Sequence, residues 1–323
     1  MLHAYTEDSF PISIPFSFNG YSIIRLLGNG STSIVCLVEE EDTFQEYSAK
    51  IISKKNMEEK NLMKSIQKEI AILEELDHPF IVKIHETFEY DDYIVIIMDY
   101  CENGDLLSYA TERGFKSLYQ MKKIVKNLFE AIQYLHVRGI SHGDIKPENV
   151  LLDENMSPKL TDFGYARTTL VAGDESKSGT LYYAAPELFH RGTFDTLKTD
   201  IWALGILLYA INELQFPYRD GDRKYLVKQI STGKLNISHT MERSLKKLIR
   251  RCTNLKPESR PSIEELLSDK WLDEEVNVET NLFIDENILD ENSEVYQLCE
   301  PLNEQKRRNS EIPLDVCENI VYI

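Results

Sequence analysis

The chain has 323 residues, 42% of them apolar and 10% aromatic, which is enough to bury sizeable cores and is neither fibrous nor disordered in composition. A formal charge of −18 argues against broad basic surface, so no nucleic acid and no membrane is expected as a partner. The five cysteines, Cys36, Cys101, Cys252, Cys299 and Cys317, are odd in number and never in C-x-x-C spacing, so reduced thiols are expected rather than a disulfide framework or a zinc site.

In chain order, the N-terminus carries Glu7, Asp8, Pro11 and Pro15 instead of a basic-then-apolar run, so no secretory signal is expected. From Tyr21 to Asp99 the pattern is mostly strand-like, with "YSIIRLL", "SIVCLVEE", "EYSAKII" and "YIVIIMDY" as short β-rich runs. One helix interrupts them, since Ile66, Ile70, Leu73 and Leu76 recur at helical spacing and the pattern stops before His78-Pro79. From Asp105 onward the chain turns helical. "YQMKKIVKNLFEAIQYLHVRG" has an apolar stripe and a glycine stop at Gly139, and further helices are predicted over 199–214, over 241–253 and after Pro261. The apolar run 201–211 is about half a membrane span and reads as a buried core helix. A β-rich half followed by an α-rich half predicts two lobes with a cleft between them. The protein is expected to be soluble and cytoplasmic, with the nucleus as a second location.

Two stretches carry chemistry. In "LLGNGSTSIVCLV", Gly28 and Gly30 make a tight turn between strands, where missing β-carbons let backbone N–H groups approach a polyphosphate. A plain hairpin turn fits the two glycines alone equally well. Val35 follows where an apolar side chain would cover a purine, Lys50 lies on the next strand, and Glu69 on the helix is placed to hold that lysine. The second stretch, 142–164, sets Asp144, Asn149 and Asp162 at fixed offsets. Singly, each reads as a turn or helix cap; together with Lys50 they read as a phosphate-transfer centre.

The glycine loop, Ala49-Lys50, Glu69, "HGDIKPEN", "DFG" and "APE" together resemble the eukaryotic protein kinase family over residues 21–272. Lys146, Thr180, "HPFIVKI" and the closing "WL" resemble its serine/threonine members, most of all the calcium/calmodulin-dependent and SNF1-like group. The resemblance implies an α+β, two-lobed protein kinase-like fold, with a β-rich N-lobe holding one main helix and a larger α-helical C-lobe. The implied division is an N-terminal extension at 1–20, an N-lobe at 21–98, a hinge at 99–104, a C-lobe at 105–272 and an acidic tail at 273–323. It implies ATP and Mg²⁺ as cofactors and protein substrates phosphorylated on serine or threonine. By residue, it implies that Asp144 takes the acceptor proton and that Lys146, Lys50 and Glu69 serve the phosphates. Asn149 and Asp162 would ligate metal. Leu27, Gly28, Asn29, Gly30, Val35, Ala49, Met98, Asp99 and Cys101 would line the nucleotide pocket, and Asp105 would meet the ribose. His142, Phe163, Leu73 and Ile84 match an apolar spine, Glu187 and Arg260 a buried ion pair, and Asp200 a brace beneath the catalytic loop.

Two departures stand out. Ser33 replaces the third loop glycine, a position where small residues serve. Gly143 replaces the arginine that in most relatives pairs with a phosphate on the activation segment, so phosphorylation at Ser176 is expected to be a weak switch, with Arg167 as the remaining contact. The H-G-D pattern also fits small-molecule phosphotransferases of the same fold, which lack "APE" and the Lys146 position. A pseudokinase or scaffold module is the other alternative, although Lys50, Asp144 and Asp162 are all in place. Asp105 and Glu148 match acidic positions that select arginine before the acceptor, while a third falls at Ala210. No EF-hand loop and no basic amphipathic tail helix is present, so direct calcium or calmodulin binding is not expected. Residues 273–323 hold 14 acidic and 3 basic residues. The basic ones cluster in "KRRNSEIP", where Arg307 and Arg308 precede Ser310: an isolated basic patch, or an autophosphorylation site.

Overall fold

The computed structural model describes residues 17–29, 33–59, 63–168, 170–172, 180–190, 192–219 and 221–273. Gly30, Ser176, most of the 1–20 extension, and the acidic tail from 274 with its cluster at 306–310 lie outside them. The chain divides into two compact units. Among the described residues, the first runs to Asn103 and takes up Leu152–Gly164; the second comprises Gly104–Leu151 and the chain from Tyr165.

The first unit is built on a six-stranded antiparallel sheet in the order β1-β2-β3-β4-β6-β5. Its strands are β1 (Ser17–Phe18), β2 (Tyr21–Asn29), β3 (Ser33–Glu40), β4 (Glu46–Ser53), β5 (Ile84–Glu89) and β6 (Tyr93–Asp99). The sheet starts inside the stretch set apart as an extension, because Phe18 is buried and the Asn19-Gly20 turn folds β1 back on β2. Alternation along the strands sorts the side chains. Tyr21, Ile23, Ile34, Cys36, Val38, Ala49, Ile51, Val95 and Ile97 form one apolar cluster on one face. The other face carries Val35, Lys50 and Ile96, which lie directly opposite one another across β3, β4 and β6. Helices α1 (Lys54–Glu59) and α2 (Met63–Glu75) connect β4 to β5. In α2, Ile66, Glu69 and Leu73 share a face by their three- and four-residue spacing, and all three are buried.

The second unit is mainly helical, with α3 (Leu106–Glu112), α4 (Leu118–Val137), α5 (Thr196–Glu213), α6 (Arg223–Ser231), α7 (Arg243–Cys252), α8 (Ile263–Leu267) and α9 (Lys270–Asp273). The stripe predicted for α4 is buried through Met121, Ile124, Val125, Leu128, Ile132 and Leu135, and the helix starts on a Ser117 cap that accepts the Gln120 amide. Helix α5 is buried on every side from Thr199 to Ile211, which explains why 201–211 is apolar all round. Among the described residues no helix is long and apolar enough to cross a membrane. Short strands β7 (Ile140–Ser141), β8 (Val150–Leu152), β9 (Pro158–Leu160), β10 (Arg167–Thr168), β11 (Leu170–Ala172) and β12 (Thr193–Asp195) frame the loops. β7 pairs with β10, so Ser141 stands opposite Arg167.

Candidate active site

In the first unit, Lys50 Nζ lies 2.9 Å from Glu69 Oε1, and the glutamate side chain is 9% exposed. The pair forms because β4 aims Lys50 away from the apolar cluster and α2 turns the face carrying Glu69 inward. Gly164 sits at the same place, since a Cβ there would lie 3.4 Å from Asp162 Oδ1 and 3.6 Å from Glu69 Oε2. Asp162 is held at φ +65°, an unfavourable conformation for a residue with a β-carbon, and Phe163 beside it is 1% exposed. Among the described residues none hydrogen-bonds or ion-pairs with the Asp162 carboxylate.

One expectation is corrected. Ala49, expected in the nucleotide pocket, is fully buried in the apolar cluster on the face away from Lys50. Strand alternation puts Ser48, two residues from Lys50, on the lysine's face instead, and its hydroxyl donates to the Asp99 carbonyl at 2.9 Å. Val35 and Met98 do share the face of Lys50. Leu27, Gly28 and Asn29 close β2, and a Cβ at Gly28 would meet no protein atom within 4 Å. Cys101 is 7% exposed, and burial pushes its thiol up to about 12.

Asp99 carries more than its place in the chain suggested. Its carboxylate accepts from His85 Nε2 and Lys159 Nζ, both at 2.8 Å, and from the Lys83 amide at 3.2 Å. Burial alone would raise its pKa, but the bonds from His85 and Lys159 outweigh it and hold the group at about 2. His85 and Lys159 carry no motif, so only the fold reveals them.

In the second unit the residues of the 142–149 loop converge. Asp144 Oδ2 lies 2.8 Å from Lys146 Nζ and accepts from Asn149 Nδ2 at 3.0 Å. Its Oδ1 accepts the Thr180 amide at 2.8 Å, and Lys146 Nζ also donates to the Thr180 hydroxyl at 2.7 Å. Burial opposes ionisation of Asp144, yet the neighbouring Lys146 and the Thr180 amide bring its pKa below the ordinary value. Asn149 spends both its amide contacts on Asp144, one to the carboxylate and one to the carbonyl oxygen at 2.8 Å.

Beneath this loop, Asp200 of α5 accepts the His142 and Gly143 amides at 2.9 and 3.0 Å and the His136 ring at 3.0 Å. The sequence pointed to Asp200 but not to His136, which ends the apolar stripe of α4 and bears no motif. Arg260 makes a two-pronged pair with Glu187 at 2.6 and 2.7 Å and also donates to two backbone carbonyls. Asp105 caps α3, accepting the Ser108 amide and hydroxyl at 2.8 and 2.7 Å. Glu148 is different: burial raises its pKa, and its Oε2 has no described partner.

A sheet unit with a buried-side lysine–glutamate pair, and a helical unit with an aspartate held by a lysine, an asparagine and a backbone amide, define the protein kinase class. Residues 21–272 match the protein kinase domain family, and the chain belongs to it. It is 34% identical over 283 residues to the serine/threonine-protein kinase cds1 of Schizosaccharomyces pombe, an alignment covering 83% of this chain and 61% of that protein. It is 32% identical over 274 residues to the CBL-interacting serine/threonine-protein kinase 14 of Arabidopsis thaliana, covering 82% of this chain and 62% of that one. The chain therefore spans less than two thirds of the length of either relative.

Proposed function

We infer that this chain is an ATP-dependent serine/threonine protein kinase. The observation that carries the reading is the Asp144 cluster. Phosphoryl transfer needs alignment and charge compensation more than covalent chemistry from the protein. Asp144, kept anionic by Lys146 and Thr180, would orient the acceptor hydroxyl and receive its proton. Lys146 would stabilise the transferring phosphoryl group, and Lys50, steered by Glu69, the other phosphates of the nucleotide. The open space over Gly28 and the apolar Val35 and Met98 suit a nucleotide on that face of the sheet.

The donor set fits Mg²⁺. Asp162 has a carboxylate with no described partner, and Asn149 keeps its amide oxygen while its nitrogen is engaged. These are hard oxygen donors, one in each unit, of the kind Mg²⁺ takes alongside phosphate oxygens and water. Bound Mg²⁺ would neutralise phosphate charge. Glu148, whose Oε2 has no described hydrogen-bond partner and would gain one from a guanidinium, supports a preference for arginine before the acceptor, with Asp105 as a second carboxylate. A cytoplasmic or nuclear site of action completes the reading and is checked by imaging the tagged full chain.

The test is transfer of labelled γ-phosphate from ATP to serine-, threonine- and tyrosine-containing peptides by the full chain, with Mg²⁺, Mn²⁺ or chelator. Mg²⁺-dependent labelling of serine or threonine, abolished by Asp144→Asn, is expected. Labelling that survives the substitution, or is absent with every metal, overturns the reading.

A further inference from the structure

Helix α7 presents a cationic face on a chain of net charge −18. Leu245, Leu248, Ile249 and Cys252 are buried, which leaves Arg243, Lys246, Lys247, Arg250 and Arg251 along the opposite side at spacings of three and four. These five line an open recess of about 390 Å³. The helix contains no acidic residue, so 243–247, 246–250 and 247–251 are like-charge pairs one turn apart, which repel. The dipole favours Arg250 and Arg251 in the last turn but opposes Arg243 in the first. Among the described residues only Arg251 is paired with a carboxylate, that of Asp269, and Lys246 reaches the His239 carbonyl at 3.3 Å. Arg243, Lys247 and Arg250 are exposed and have no ion pair among the described residues. Such a face asks for an anionic partner.

The chain supplies one. Helix α9, which ends at Asp273, packs against α7, and Trp271 donates to Glu242 at the start of that helix at 3.2 Å. Residues 274–294 then contain eight carboxylates and no basic residue. The face to be covered is about 15 Å long for the ten residues of α7. Eleven extended residues reach up to about 36 Å, so the run 285–291, with Asp285, Glu286, Asp290 and Glu291, can lie along it. We propose that the acidic segment 274–294 docks on the basic face of α7 in the same molecule.

The test is zero-length carbodiimide coupling of the full chain at low micromolar concentration, mapped by mass spectrometry, in a mixture of light and heavy isotope-labelled protein. Lys246 and Lys247 are the reporters. The expected result is amide links from them to carboxylates within 274–294, light to light and heavy to heavy only. They should fall at least about fivefold when salt shortens the Debye length from ~10 Å at 0.1 M toward ~3 Å at 1 M. The same loss is expected in Arg243→Glu/Arg250→Glu. It is also expected in Asp285→Asn/Glu286→Gln/Asp290→Asn/Glu291→Gln, which leaves the folded helix untouched. Links spread evenly over surface lysines, mixed light–heavy links that signal a second copy, or links unchanged in the neutralised tail variant each overturn the proposal.

Discussion

A side chain at position 143 would place its Cβ 2.6 Å from the Tyr165 carbonyl oxygen, on a backbone held at φ +82°. Both costs fall on any residue but glycine, and the obstacle is backbone, which cannot swing aside. Gly143→Ala is therefore expected to lower unfolding free energy by about 1–3 kcal/mol, read from urea denaturation. Gly143→Arg should carry the same cost; an unchanged midpoint in the alanine variant would show that the loop relaxes freely. Asp99 gives a pH signature. Its folded pKa is about 2, below the ordinary 3.8, so its contribution to stability is complete above pH ~4 and is lost as pH falls toward 2. The stability gap between the wild type and Lys159→Met should hold from neutral pH to about 4 and then narrow. A gap that widens on acidification contradicts the assignment. Ala49 shows where one residue was misread: the motif named two adjacent residues, but adjacent residues on a strand face opposite ways.

Elements were legible in proportion to their periodicity. β2, β3, β4, β6 and α2 stand within a few residues of where apolar alternation or helical spacing put them. β5 was not singled out because it reads "IHETFE", with most of its side chains outside the core, and sheet order places it at an edge, where apolar patterning is not required. Helix α6 has a basic, polar sequence and was missed for the same reason. In the candidate site, motifs located Asp144, Lys146, Asn149 and Asp200, since those depend on residue type at fixed offsets. His136 and Lys159 depend on tertiary contact alone. The Glu187–Arg260 pair joins the "APE" segment to the chain just before α8, and Arg260 also donates to the Lys198 carbonyl in α5. Arg260→Met should cost about 3–5 kcal/mol, because it strands a largely buried carboxylate. Adding Glu187→Leu should recover much of that loss in a double-variant cycle. Additive losses would show that the two side chains act separately.

At the scale of the whole molecule, charge is the feature most unevenly distributed. The chain carries −18 in total, yet α7 gathers five cations, and the stretch 273–323 holds 14 acidic against 3 basic residues. Docking of 274–294 on α7 would neutralise two fields that otherwise extend into solvent, and the remaining surface would still be acidic. Such a surface draws a cationic substrate from beyond contact distance, and this attraction weakens as salt screens it. For a peptide with arginines before its serine, kcat/KM is expected to fall about tenfold between 50 and 300 mM salt, with kcat nearly unchanged because the Asp144 cluster is buried from the screening ions. A peptide of the same length with those arginines replaced by glutamine should start lower and change little. If both peptides respond equally, the salt acts on the enzyme and not on encounter, and the acidic surface has no part in choosing substrates. If neither responds, recognition is confined to short-range contacts such as Glu148.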